Sequence, residues 1–196
     1  MRALSVEDVR SFLSSFQRNE ATGHALISAG VLVPLLIRQE GLSILLTQRT
    51  EEVAHHKGQV SFPGGMRDER DMTILETALR EAEEEIGLRR DEVEILGMLN
   101  DFCTPSGFCI TPVVAFLPHI PPFVLNRSEV SSVFDVPISF FLDPHNERME
   151  QRERSGVMAN IYFYHYGEYE IWGATAAILR TFLHGLAANA GYKKTL

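Results

Sequence analysis

The chain reads as a single α/β domain built on a mixed β-sheet. Segments with a two-residue hydrophobic alternation and segments with a 3.6-residue period follow one another without a regular βαβ order, which favours a mixed sheet over a purely parallel one. At 196 residues the chain is long enough for one core of ordinary size. Its apolar fraction of 45% and charged fraction of 22% are those of a globular protein, and it carries no internal repeat, low-complexity tract or linker.

The elements follow in order. Residues 5–17, "SVEDVRSFLSSFQ", have helical periodicity, with Ser5 as N-cap and Asp8 three residues on. "GVLVPLLIRQEGLSILLTQR" reads as two strands around the turn Gln39-Glu40-Gly41. The polar stretch 50–61, with Gly58, is expected to be a loop. "VSFPGG" is expected to be a strand ending in a Pro-Gly-Gly turn. Residues 72–87 form a helix, "VEILGMLNDFCT" and "ITPVVAFLP" are strands, and 126–133 form a short helix. "YFYHYGEYEIWG" holds one or two strands, and "ATAAILRTFLHGLAANA" is a C-terminal helix of good helix formers. The expected division is an N-terminal helical segment over 1–29, the main domain over 30–183, and the end of the last helix with a tail over 184–196.

The formal net charge of −8 argues against a sequence-independent nucleic-acid binder, which needs a basic surface. It leaves room for a small anionic substrate, because a local cation can dominate the field at a site. The N-terminus lacks the apolar core of a signal peptide, and no apolar run nears the roughly 20 residues that span a bilayer. The cytoplasm is therefore the expected compartment, with no membrane partner. The two cysteines, Cys103 and Cys109, are too few for a zinc site or a disulfide scaffold and are expected to be small buried residues.

The stretch "LREAEEEIGL" places Glu81, Glu83, Glu84 and Glu85 in little more than one helical turn. Each like-charge pair at spacing three or four costs about 0.2–0.5 kcal/mol, so something must offset the repulsion. Ile74, Leu75, Ala78, Leu79, Ala82 and Ile86 share the side that faces the core. Glu81, Glu84 and Glu85 converge on another side, Glu83 points to solvent, and Arg80 lies one turn before Glu84 and can pair with it. Three carboxylates on one face suit a hard dication such as Mg2+ or Mn2+; an exposed acidic face is the alternative. A double glycine upstream, Gly64-Gly65, lets backbone approach a phosphate or a metal.

From Gly65 through Asp71 to Arg80-Glu81, Glu84-Glu85, Gly87 and Leu88, the sequence resembles the Nudix box, the loop–helix–loop signature of the Nudix hydrolases. The second half matches at every position. The first half differs in having Asp71 where glutamate is usual and one extra residue before Arg80. The resemblance implies the Nudix fold, a mixed sheet sandwiched between helices, and a divalent cation held against a diphosphate. Carried over by position, Glu81 and Glu85 are the leading metal ligands, and Glu84 is a third ligand or a base. Arg80 orients the glutamates, and Gly65 supplies a ligating or phosphate-facing backbone group. Bound metal would convert the carboxylate repulsion into coordination and lower the pKa of a bound water.

"LLTQRTEEVAHHKGQVSFPGG" is similar to the motif of the coenzyme A pyrophosphatase branch, with Thr50 in place of a serine or alanine and Ala54 in place of an arginine. "TPSGFCITPVVAFLP" and "EIWGATAAIL" are similar to that branch too, so the likeness runs from about residue 30 to about residue 183. Coenzyme A would need a cation for its 3′-phosphate. Arg49 and Lys57 are candidates, or are solvated loop charges. His55 and His56 could donate to a phosphate or lie exposed. Gly64 is a further substrate-facing residue, and Phe108 either stacks on adenine or packs in the core. Glu129 is an added base or ligand, or a charge at a helix N-terminus; Trp172 is expected to pack in the core. Three readings follow: a diphosphatase of coenzyme A or its thioesters, a Nudix hydrolase of another nucleoside diphosphate derivative, or a catalytically silent nucleotide-binding domain. The oligomeric state is left open, a homodimer included.

Overall fold

The computed structural model describes residues 3–21, 26–51, 57–154 and 157–191. The chain opens with α1 (Val6–Ser15), capped by Ser5 and Asp8 in a reciprocal capping box. Then come β1 (Ile27–Arg38), β2 (Gly41–Arg49), β3 (Val60–Ser61), β4 (Gly64–Met66) and α2 (Ile74–Ile86). Next are β5 (Glu94–Met98), β6 (Phe102–Cys103), β7 (Phe108–Phe116), β8 (Val130–Pro137) and α3 (Ile138–Leu142). Last are β9 (Glu147–Arg154), β10 (Val157–Tyr166), β11 (Tyr169–Trp172) and α4 (Gly173–Asn189).

The main sheet runs β3-β2-β1-β7-β5, with β4 on β1, β6 on β7 and β8 on β2. It is mixed: β1 and β7 are parallel from Ile27↔Phe108 to Leu35↔Phe116, while β1 pairs antiparallel with β2 and β4. Both faces are buried. Leu32, Leu36 and Leu45 pack with Ala78, Leu79, Ala82 and Ile86 of α2. Val33, Leu35, Ile44 and Leu46, one residue out of phase, pack with Val9 and Phe12 of α1 and Leu179, Phe182 and Leu183 of α4. That period of two with apolar residues on both sides explains why β1 and β2 read as near-continuous hydrophobic runs. A second sheet, β11-β10-β9, lies beside the first. The expected α/β class with a sheet between helices is the observed one.

Several local expectations are corrected. Residues 130–137 are a strand, because Val130, Val133 and Val136 lie along the free edge of β2, and the tertiary pairing overrides a weak helical preference. Gly64 and Gly65 pair with Val31 and Gly30 as β4 and make no turn. Two further elements, α3 and β9, have no counterpart in the sequence pattern. Cys103 is exposed and Cys109 half-buried, since they sit next to the turn of a short hairpin. Trp172 is 36% exposed; Ile171, its neighbour in β11, takes the core position and Trp172 stacks outside on Phe163. Ala54, His55 and His56 lie outside the described residues.

Candidate active site

The glutamate helix begins at Thr73, whose side chain accepts from Glu76 N–H while Glu76 accepts from the cap, and it ends at Gly87 with φ +70°. Gly30 lets it lie close to the sheet: a Cβ there would stand 2.6 Å from the Ile74 carbonyl oxygen. The "FPGG" stretch is anchored by Leu32 N–H donating to the Pro63 carbonyl at 2.8 Å. Gly64 has φ +153°, and a Cβ on it would meet the Gly30 carbonyl oxygen at 2.5 Å, so only glycine fits. Its N–H donates to Glu85 Oε2 at 3.1 Å. At Gly65 a Cβ would fall 2.5 Å from the Glu81 carboxylate carbon. The double glycine is thus a backbone cradle into which the Glu81 and Glu85 carboxylates reach.

Glu85 is buried, and burial pushes its carboxyl up to about 8, against the Gly64 N–H and the Arg49 charge, which pull it down. Arg49 Nη1 is 3.6 Å from Glu85 Oε1, and the buried Arg49 Nε has no hydrogen-bond partner among the described residues. Glu81 is half-buried and also raised, chiefly by desolvation; Glu84 and Glu129 add repulsion and Arg80 opposes it. Arg80 Nη1 donates to Glu81 Oε1 at 2.7 Å and to Glu84 Oε2 at 3.0 Å, and Nη2 donates to the Met66 carbonyl at 3.1 Å. Asp71 accepts from Arg80 Nε and Nη2, from Thr77 Oγ1 and from Asp68 N–H, which holds its carboxyl well below the usual range. Glu84 is exposed. Glu129 accepts from Asn126 Nδ2 at 2.9 Å, and its charge is felt at both Glu81 and Glu85. The Asn126 N–H donates to the Glu85 carbonyl at 2.9 Å, which docks the Glu129 turn on the end of α2.

The structure brings together Glu81, Glu84, Glu85, Arg80, Gly64, Gly65, Arg49 and Glu129. No contact among the described residues joins Lys57 or Phe108 to them: Lys57 is exposed on a turn, and Phe108 is half-buried at the start of β7, beside Ile27. Arg49 faces Glu85 and acts as its counter-ion. Two positioning residues were not singled out as such: Gly30, whose meaning depends on the helix crossing it, and Asp71, whose partner Arg80 is nine residues on. An open depression lined by Arg38, Ser43, Asp135 and Tyr166 lies at the far end of β2 from Arg49 and contains none of these groups.

The donor set fits a hard divalent cation. Its oxygens are carboxylate and backbone, two of its carboxylates are raised by burial and mutual repulsion, and Gly65 admits the Glu81 carboxylate into the space a side chain would fill. As they stand, no three such side chains among the described residues converge at ligating distance. Arg80 holds Glu81 and Glu84, so a cation would take these carboxylates over from the guanidinium.

A NUDIX domain family model matches residues 27–154. A protein of Escherichia coli O7:K1, named as an uncharacterised Nudix hydrolase NudL, is 36% identical over 198 residues, covering 98% of both chains. A NudL of Klebsiella pneumoniae is 38% identical over 183 residues, covering 91% of this chain and 93% of its own. Among solved structures, a Caenorhabditis elegans Ap4A hydrolase complex superposes with a TM-score of 0.56 over 83% of this chain and 98% of that one, at 14% identity. A MutT protein of Methanosarcina mazei Go1 superposes with a TM-score of 0.54 over 87% and 99%, at 16% identity. At these identities the structural likeness shows the fold alone.

Proposed function

Since the chain belongs to the Nudix hydrolase family, we propose that it is a Mg2+- or Mn2+-dependent diphosphatase that cleaves coenzyme A or its thioesters into 3′,5′-ADP and 4′-phosphopantetheine compounds. The observation that carries the reading is the approach of the Glu81 and Glu85 carboxylates to the Gly64-Gly65 backbone. The likeness of "LLTQR…FPGG" to the coenzyme A branch supports the substrate. A bound cation supplies neutralisation of the diphosphate charge and a water of lowered pKa. Glu81 and Glu85 would hold it, with Glu84 as a third ligand or as the base. Arg80 orients Glu81 and Glu84, and Asp71 fixes Arg80. The proton of the attacking water passes to a carboxylate of the cluster, for which Glu84 and Glu129 are the candidates. The pH–rate profiles of Glu84→Gln and Glu129→Gln distinguish them.

One observation favours a second reading. Arg49 is engaged with Glu85, which leaves the 3′-phosphate without that cation, and Ala54 replaces the motif arginine. A nucleoside diphosphate derivative without a 3′-phosphate, such as ADP-ribose or a dinucleotide, would then fit as well. The test is a substrate panel of coenzyme A, dephospho-coenzyme A and ADP-ribose with each metal, products resolved by chromatography. The highest kcat/KM is expected for coenzyme A. A higher value for ADP-ribose supports the second reading, and no turnover with either metal contradicts both.

A further inference from the structure

The hairpin that joins β6 to β7 carries both cysteines of the chain. Cys103 and Cys109 are direct partners across the two strands, with Sγ atoms 4.0 Å apart. One step nearer the turn, Thr104 N–H donates to the Phe108 carbonyl at 2.8 Å. Hydrogen-bonded and non-hydrogen-bonded pairs alternate along an antiparallel ladder, so the cysteines occupy a non-hydrogen-bonded pair, whose Cα atoms typically approach to about 4.5 Å. That separation lies within the roughly 4.4–6.8 Å range of disulfides. Side-chain rotation is therefore enough for a bond, with no change of strand register. The turn is held by Gly107 N–H donating to the Thr104 carbonyl and Phe108 N–H donating to Thr104 Oγ1, each at 3.1 Å. Cys103 is exposed, while Cys109 is half-buried and feels the Asp101 charge.

We propose that Cys103 and Cys109 are a reversible dithiol–disulfide pair, oxidised by exchange with a low-molecular-weight disulfide. The Cys103 thiolate attacks one sulfur of the incoming disulfide, releasing one thiol and leaving a mixed disulfide. Cys109 then loses its proton to solvent and its Sγ attacks Cys103 Sγ, expelling the second thiolate, which takes up a proton. Two electrons leave the protein, one disulfide is consumed and two thiols appear. Burial and the Asp101 charge push the Cys109 thiol up to about 11, so ring closure quickens as pH rises. The bond would pin the start of β7, and Ser28 of β1 lies between Cys109 and Arg67, so the pair stands two strands from the end of β4. This pair is independent of the substrate reading above.

The test uses the reduced full chain incubated with glutathione disulfide at pH 8, blocked with N-ethylmaleimide and weighed intact. The wild type should lose about 2 Da, the two hydrogens of the thiols, take up no maleimide, and recover on treatment with dithiothreitol. Cys109→Ser should stop with one glutathione on Cys103, and Cys103→Ser should form no internal bond. A wild type that keeps two blockable thiols, retains bound glutathione, or forms disulfide-linked dimers overturns the proposal.

Discussion

Arg80 and Asp71 form a two-pronged ion pair, Nε donating to Oδ1 and Nη2 to Oδ2, each at 3.0 Å. The remaining Arg80 nitrogen, Nη1, holds Glu81 and Glu84. Asp71 is one methylene shorter than the glutamate usual at its place and one residue further from the arginine, yet it meets the guanidinium with both oxygens. The pair thus fixes the group that sets where two of the candidate ligands stand. Asp71→Asn keeps the shape and removes the charge. We expect it to lower unfolding free energy by about 2 kcal/mol, the range of hydrogen bonds to charged groups, and to slow turnover as Arg80 loosens. Denaturant unfolding with a steady-state assay checks both, and an unchanged midpoint with an unchanged rate would remove the pair from the account.

Gly30 and Gly65 should fail in different ways. An added Cβ at Gly30 meets the Ile74 carbonyl oxygen at 2.6 Å and the Ala78 nitrogen at 3.0 Å, both backbone, so the helix itself must shift. Gly30→Ala is expected to cost about 1–3 kcal/mol, as overpacking does. At Gly65 the Cβ meets only the end of the Glu81 side chain, which can swing away. Gly65→Ala should keep its melting temperature within a few degrees and lose most of its activity. Equal stability losses in the two variants would contradict the reading of Gly65 as a cradle.

Stability of the metal-free protein should fall as pH rises from about 4.5 to about 8. Burial raises the Glu85 carboxyl from its ordinary 4.5 to about 8, so within that window the folded protein keeps a proton that the unfolded chain has lost. Glu81 is shifted in the same direction and adds to the slope. Asp71 is shifted the other way, and its contribution is lost only in acid, as pH falls below its ordinary value of 3.8. Glu85→Gln should flatten the slope and raise the melting temperature above pH 8. Thermal scans in chelator across pH 5–9 decide the matter; parallel curves for both proteins would refute it.

Metal should stabilise the wild type by mass action, because the cluster exists only in the folded chain. With Mn2+ at about one hundred times its Kd, the gain is about 2.7 kcal/mol. The rise in melting temperature should shrink in Glu81→Gln and in Glu84→Gln. Identical rises in all three proteins would place the cation elsewhere.

The helix α2 was legible because its capping residues, its core stripe and its glutamate spacing all agree locally. The strands β1 and β2 were legible as apolar runs bounded by a turn. The strand β9, "ERMEQRER", was not: it is an edge strand that pairs with β10, and its charges leave no apolar alternation to read. The spacing of Glu81, Glu84 and Glu85 placed them on one face, but Arg49 comes within 3.6 Å of Glu85 through the tertiary fold, which no local pattern around either residue shows. Asp71 and Gly30 take their roles from partners nine and forty-four residues away, Arg80 and Ile74, and a single segment cannot show such pairings. Lys57 and Phe108 rest on sequence likeness, since no contact among the described residues joins them to the glutamates.

The central claim is that the carboxylate of Glu85 takes part in cleaving a diphosphate. The most direct measurement is the initial rate of coenzyme A hydrolysis by the wild type and Glu85→Gln at saturating Mg2+, with folding of both proteins verified by circular dichroism. Loss of a ligand to the reacting charge removes several kcal/mol, so the account predicts 3′,5′-ADP from the wild type and a rate lower by about a thousandfold in the variant. A Glu85→Gln protein that hydrolyses coenzyme A at the wild-type rate would contradict it.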